Sequence, residues 1–454
     1  MSTPKETTPR RFCSPPAPVT GWGRFPAREA RLCANEDLPL VTPHATLSRG
    51  LGRSYGDAAL PAKAGDALAS TVLADRLLCF DPETGVLRAE AGCPLWRIIE
   101  LFLPRGWFPP VTPGTKYVTL GGMVAADVHG KMHHSQGTFG AHVVSILLEV
   151  SDGRQIECSP ENETELFDAT LGGMGLTGHI LEVAFRMQKV PSPWILEEVD
   201  TFPDVRSLLL ALRDAGQRWP FTVAWADLLN PPPLFGRGAL MKGRWASPEE
   251  APAHPPAAKK SFRVPAVFPD WFLQPWMVRA FNRLYFYRAQ RAKGGRVVHP
   301  ETFFYPLDAL HDWNRVYGPR GFTQYQCVLP VEQGFDVHER FLYRLRELKA
   351  PVFLAVIKDC GPEGRGILSF PRPGISYALD MPLSDRTQHI VDELNEIVVA
   401  VGGRIYLAKD ALTRPQHFRA MEPRLERFLT VRRKWDPSLR FRSALSARLF
   451  GDQA

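Results

Sequence analysis

Apolar and polar residues alternate along this chain in short runs, which predict brief strands and helices separated by glycine-rich turns. Leu95, Ile98, Ile99 and Phe102 recur at helical spacing behind Pro94, which can open a helix, while Pro104 and Gly106 end it. Ile146, Leu148 and Val150 keep the period of a strand, Asp152-Gly153 supplies a tight turn, and residues 155–158 read as the returning strand. Further on, Phe418, Met421, Leu425, Phe428 and Leu429 predict one amphipathic helix. The first 190 residues therefore read as α+β. Residues 1–18, rich in Pro, Thr and Arg, read as a disordered lead. Pro191 and Pro193 mark a boundary near residue 190, and the proline- and alanine-rich stretch 246–260 reads as a mobile loop.

Length and composition narrow the class. At roughly 150 residues per domain, 454 residues make about three compact units. No apolar run approaches the roughly 20 residues of a membrane-spanning helix, and the polar amino terminus lacks the apolar core of a secretory signal, so folding in the cytoplasm is expected. Seven cysteines stand singly, with no CxxC, and reduced thiols are expected. The formal charge of +7 suits a phosphate-bearing substrate, an anionic membrane or nucleic acid without choosing among them. One stretch, 271–300, carries no acidic residue. It holds Trp271, Phe272, Trp276, Phe281, Tyr285, Phe286 and Tyr287 beside Arg279, Arg283, Arg288, Arg291, Lys293 and Arg296. Such a mixture fits either a surface that meets lipid or a domain-internal helix with exposed arginines; no nucleic-acid recognition module accompanies it.

Three glycine clusters carry the chemistry. In the first, Arg49, Gly50, Leu51, Gly52, Arg53, Ser54, Tyr55, Gly56 and Asp57 form a loop whose glycines let backbone N–H groups approach an anion, with two arginines nearby. The spacing is not G-x-G-x-x-G, which disfavours a nicotinamide-binding Rossmann turn. In the second, Gly114, Thr119, Leu120, Gly121 and Gly122 precede Ala126, Asp127, Val128, His129, Gly130 and Lys131; small residues there admit a flat ring against backbone. The third is Leu171, Gly172, Gly173, Met174, Gly175, Leu176, Thr177 and Gly178. His129 and His133 are four apart, but Gly130, Gly137 and Gly140 argue against a helix that would pair them on a metal, so no metal is expected. His133 and His134 read as structural.

Together these motifs resemble the PCMH-type FAD-binding fold of the vanillyl-alcohol oxidase superfamily, and within it the decaprenylphosphoryl-β-D-ribose 2′-oxidase branch. The likeness starts at Gly21-Trp22-Gly23-Arg24. It resumes at 308–317, 321–330, Tyr406-Leu407-Ala408-Lys409-Asp410 and Val431-Arg432-Arg433-Lys434. It implies an α+β chain of two domains, with FAD-domain segments at 19–190 and 403–454 enclosing a substrate domain with an antiparallel sheet at 191–402. It also implies noncovalent FAD. Arg49 through Ala58 would embrace the pyrophosphate, while Gly114, Thr119 to Gly122, Ala126 to His129, Ile180 and Tyr406 would line the flavin. Lys409 would be the cation beside the flavin pyrimidine edge, with Tyr55 and His129 in the reacting pocket. The general base stays open among Tyr55, Lys409 and a water. Lys131, Gln324, Gln326, Lys358 and Ser376 would meet the substrate, the lysines at a phosphate.

The activity implied is oxidation of the 2′-hydroxyl of a polyprenylphosphoryl-β-D-ribose to a ketone. A short-chain reductase would then complete the epimerisation, and stretch 271–300 would touch the inner membrane peripherally. An alditol or sugar-lactone oxidase with a soluble substrate is the alternative. The sequence departs from the branch at Ala378, where mycobacterial members carry cysteine, and at Ser376 and Ala58, where asparagine is expected.

Overall fold

The computed structural model describes residues 12–254, 256, 261–265, 273–292 and 294–453. Trp271, Phe272 and Lys293, and most of the predicted lead, lie outside them. The α+β class expected is the class found, built around a large antiparallel sheet.

The amino-terminal portion contains two larger sheets and a two-stranded pairing of Trp107–Phe108 with Gln188–Lys189. A four-stranded one joins Ala17–Thr20, Ala27–Ala34, Ala67–Ser70 and Leu47–Arg49, and a five-stranded antiparallel one is centred on Val86–Glu90, His179–Arg186 and Val143–Glu149. The helix expected behind Pro94 is α1, Leu95–Phe102, with Leu95, Ile98 and Ile99 buried; Gly106 at φ 78° carries the chain out of the following turn. The Asp152-Gly153 hairpin forms as expected, linking Val143–Glu149 to Gln155–Cys158.

Two expectations fail here. The lead is ordered from residue 12: Ala34 N donates to Phe12 O and Ser14 N to Leu32 O, both at 2.9 Å, so the backbone joins a sheet edge. The same bridge sets Cys13 opposite Cys33, and the two form a disulfide where free thiols were expected; they lie 20 residues apart, a separation that hides the pairing in the sequence.

The carboxy-terminal portion is organised by an eight-stranded antiparallel sheet. Its strands are β1 Ile195–Phe202, β2 Phe221–Ala226, β3 Gly238–Trp245, β4 Gly295–Val298, β5 Phe322–Pro330, β6 Leu354–Cys360, β7 Gly374–Pro382 and β8 Arg404–Ile405. Their spatial order is β4-β1-β3-β2-β6-β7-β5-β8. Register fixes what each face presents. Trp225 pairs with Val356, Lys358 with Ser376, Ala378 with Gln326 and Asp380 with Gln324, so these side chains share one face. Helices α3 Val205–Gly216, α5 Phe335–Glu347 and α6 Thr387–Ala400 cover the opposite face. The first face turns toward the amino-terminal sheets and also carries α4, Pro275–Arg291.

After β8 the chain returns to the glycine loops. The single helix expected there is two, α7 Pro415–Met421 and α8 Leu425–Trp435. Pro423 has no N–H to continue the ladder and leaves Glu422 extended at φ −122°, ψ 81°. A last helix, α9 Ala444–Phe450, holds Arg448 against Asp57 through two hydrogen bonds of 2.8 Å. A Cβ on Gly56 would collide with the Asp410 carbonyl oxygen, so only glycine lets the loop and the returning chain lie this close.

Asp57 is 3% exposed, and removing its partner strands a buried carboxylate. Arg448→Met is expected to cost about 3–5 kcal/mol, read as a lowered thermal midpoint. Arg154→Ala, which breaks the exposed Arg154–Asp152 pair at 2.7 Å, should cost less than about 1 kcal/mol. Equal midpoints for the two variants would contradict the assignment.

Candidate functional site

The first two glycine clusters meet directly. Gly50 faces the Thr119 hydroxyl so closely that a Cβ would strike it, and Thr119 caps helix α2, Leu120–Ala125, by accepting from Gly122 N at 3.2 Å. The third cluster braces that helix from behind: Gly172 N donates to Val124 O at 3.1 Å and Met174 N to Ala125 O at 2.9 Å. Gly114 and Gly122 are exposed, whereas Leu120 and Ile180 are buried in the core.

Several side chains of these loops are already engaged by protein. Arg49 donates to Ala59 O and Thr20 O at 2.9 and 2.7 Å, holding the loop rather than reaching out of it. Asp127 is buried and accepts from Gly140 N at 2.8 Å and from the Ser369 hydroxyl. With Asp57 clamped by Arg448, the acidic groups of the motif are tied inward, as an anion site requires. Arg53 instead stacks on Trp22, 3.9 Å from the ring centroid, and its buried Nε has no partner among the described residues.

The returning segment 404–410 lies between loop and sheet. Tyr406 N donates to Gln326 O and Tyr55 N to Ala408 O, at 2.9 and 2.8 Å, and the Tyr406 hydroxyl reaches Ala126 O at 2.9 Å. This brings Lys409 Nζ to 3.5 Å from the Tyr55 ring centroid. Across the gap, Gln326 Nε2 donates to His129 Nε2 at 3.0 Å and to Ser376 Oγ at 3.3 Å. His129 then carries its proton on Nδ1, which is buried and unpartnered. His133 accepts from Gly361 N and His134 binds Trp219 O, both structural contacts. The sequence-named residues Tyr55, His129, Gln324, Gln326, Lys358, Ser376 and Lys409 thus come together at one sheet face. Lys131 points toward it but donates to Phe303 O.

Burial sets the charges. It pushes the Lys131 and Lys409 ammonium groups down to about 7, and lowers Lys358, whose charge further disfavours protonation of Lys409, Lys131 and His129. His129 is held neutral, first by burial. Burial raises the Tyr55 phenol well above its usual range, so it stays protonated. Asp380 was missed from the sequence. It is fully buried, accepts from Gln324 Nε2 at 2.5 Å, and burial pushes its carboxyl up to about 7, against the opposing pull of Gln324 and Lys409. The Tyr317 hydroxyl also favours the charged form of Asp380, although Oδ2 has no partner of close hydrogen-bonding geometry among the described residues. Its strand period with Ser376 and Ala378, two residues apart each time, was the available signal.

Residues 29–159 match the family described as FAD binding domain. The chain is similar to decaprenylphosphoryl-β-D-ribose oxidase of Mycolicibacterium smegmatis, 32% identical over 449 residues, 95% of this chain and 97% of that protein. The chain belongs to the PCMH-type FAD-binding oxidoreductases. An uncharacterized Streptomyces coelicolor protein is 34% identical over 78% of this chain and 99% of its own length. Human Δ24-sterol reductase is 24% identical over 111 residues, 24% of this chain and 22% of that protein.

The Arg53 Nε and His129 Nδ1 donors and the Lys409 ammonium, none with a hydrogen-bond partner among the described residues, fit FAD, an anionic dinucleotide. Gly50 and Gly52, whose Cβ would strike Thr119 and Arg49, serve to close the loop on its neighbours. A cation at Lys409, beside Tyr55, would offset negative charge on a reduced cofactor bound at this face. Its ammonium is present below neutral pH and lost above it. Lys409→Ala should lower the flavin midpoint potential by about 30–60 mV, the two-electron equivalent of roughly 1.4–3 kcal/mol for a charge-assisted contact. Asp380→Asn removes the carboxylate that favours the charged lysine, so the pH at which the potential loses this support should move down. Spectroelectrochemistry across neutral pH reads both, and unchanged potentials in Lys409→Ala would remove the lysine from the flavin.

Proposed function

We propose that this flavoenzyme oxidises a ring hydroxyl of a lipid-phosphate pentose to a ketone, most directly the 2′-hydroxyl of a polyprenylphosphoryl-β-D-ribose, with FAD held noncovalently. Lys358 carries the reading. It is an amine in a low-dielectric site that disfavours its charge, on the face shared by Gln326 and Ser376, without a hydrogen-bond partner among the described residues. An anionic group on the substrate is what such a position favours, since it restores the charge that burial removes. The likeness to the Mycolicibacterium protein along 95% of the chain supports the sugar and the lipid phosphate. The likeness to the sterol reductase stops at about a quarter of the chain and does not bear on the substrate.

Bound FAD supplies the hydride acceptor. The chain's own residues bind and orient the alcohol and take its proton. Gln326 is anchored by His129 and Ser376, and Gln324 by Asp380, so both amides present fixed faces to sugar hydroxyls. Tyr55 stays protonated and His129 Nε2 is occupied, which favours Lys409 Nζ, directly or through a water, to take the hydroxyl proton, with the nearby Asp380 carboxylate favouring its charged form. The keto product is suited to a short-chain reductase that returns a hydride from the other ring face, completing an epimerisation.

The yellow holoenzyme should bleach anaerobically with a prenylphosphoryl-β-D-ribose, and not with free ribose, alditols or sugar lactones. Lys358→Met should raise KM about tenfold or more, the loss of one charge-assisted contact, with a smaller change in kcat. Bleaching by the soluble sugars alone would replace the proposal with the soluble-substrate reading.

A further inference from the structure

Helix α4, Pro275–Arg291, presents an outward face that the described residues do not cover. Its inward stripe is Val278, Asn282 and Phe286, at a spacing of four. Phe286 packs with Val199, Trp225 and Ala239 of the sheet, and Asn282 Nδ2 donates to the fully buried Asp227 at 2.9 Å, while Arg237 and Asn230 bind the same carboxylate. The helix is therefore pinned by a buried polar group as well as by apolar contact, which fixes the direction of its opposite face. On that face Trp276, Phe281, Leu284 and Tyr287 are 58–61% exposed. Between them stand Arg283, Arg288 and Arg291, which form no ion pair or hydrogen bond with the described residues, and residues 271–300 contain no Asp or Glu.

We infer that this face docks on an anionic lipid bilayer. A helix closed off inside a water-soluble fold would turn these four large side chains inward and keep the arginines balanced by carboxylates. Here the apolar groups point out together, and every charge among them has one sign. Tryptophan and tyrosine suit the headgroup level, and long arginine stems reach from an apolar bed to phosphate, so the interleaved pattern matches an interfacial helix. The negative leaflet surface supplies the missing countercharge. The position is also apt. Trp225, on which the helix rests, pairs across strands with Val356, and Lys358 follows two residues later on the same face. A bilayer under α4 lies alongside the candidate pocket rather than behind the sheet, where a lipid-borne head group can be lifted into it. The docking does not require the substrate reading, and its test uses no turnover.

The flavin-loaded full chain is sedimented with vesicles of phosphatidylglycerol or of phosphatidylcholine. Binding is expected to the anionic vesicles and to weaken with salt. Two double variants, Trp276→Ser with Phe281→Ser and Arg283→Glu with Arg288→Glu, should each lose about tenfold or more of it, while their flavin absorbance shows that they fold. No pelleting with anionic vesicles, or variants that bind as wild type does, overturns the inference. So does a wild-type dimer that the Trp276/Phe281 variant turns into a monomer, because the face then belongs to a second copy. Salt-sensitive binding of duplex DNA without vesicle binding overturns it in favour of nucleic acid.

Discussion

Everything at the site hangs on the backbone of residues 404–410 running between two partners at once. On one side it extends the large sheet and takes Gln326 O; on the other it receives Tyr55 N from the first glycine loop. Because hydrogen bonds fix both sides, Lys409 has little choice of place, and the loop must do without a side chain at Gly56. The two portions of the molecule thereby share one continuous apolar core instead of meeting at a hinge.

That closeness has an electrostatic price which the site turns to use. Lys131, Lys358 and Lys409 are crowded into low dielectric with Asp380 as the carboxylate beside Lys409, so each is driven toward neutrality. Groups in such a state respond strongly to an arriving anion, because the same low dielectric that suppresses the charge amplifies the attraction that restores it. The loops work the opposite way. Their own carboxylates are engaged within the fold, Asp57 by the Arg448 guanidinium and Asp127 by donated hydrogen bonds, and so are turned away from the loops' open side.

Legibility in the sequence followed the range of the interaction. Local signals carried α1 and the Asp152-Gly153 hairpin, because proline, glycine and period act within a few residues. The glycine clusters were visible for the same reason, and so was Lys409 through its motif. What escaped depended on contacts made far along the chain or on which way a side chain turns. Asp380 acquires its character only when Gln324 and Lys409 are folded against it. Arg49 looks like a phosphate ligand in the motif, yet its guanidinium goes to Ala59 and Thr20 carbonyls. Cys13 and Cys33 become neighbours only through strand pairing. The split between α7 and α8 is written locally in Pro423, whose missing N–H overrides an apolar period that runs on past it.

The bond between Arg448 and Asp57 spans 391 positions of sequence. During synthesis the early glycine loops therefore emerge long before the chain that completes them. Until that return is made, Asp57 lacks the arginine that holds it and the first glycine loop lacks the segment that closes on it.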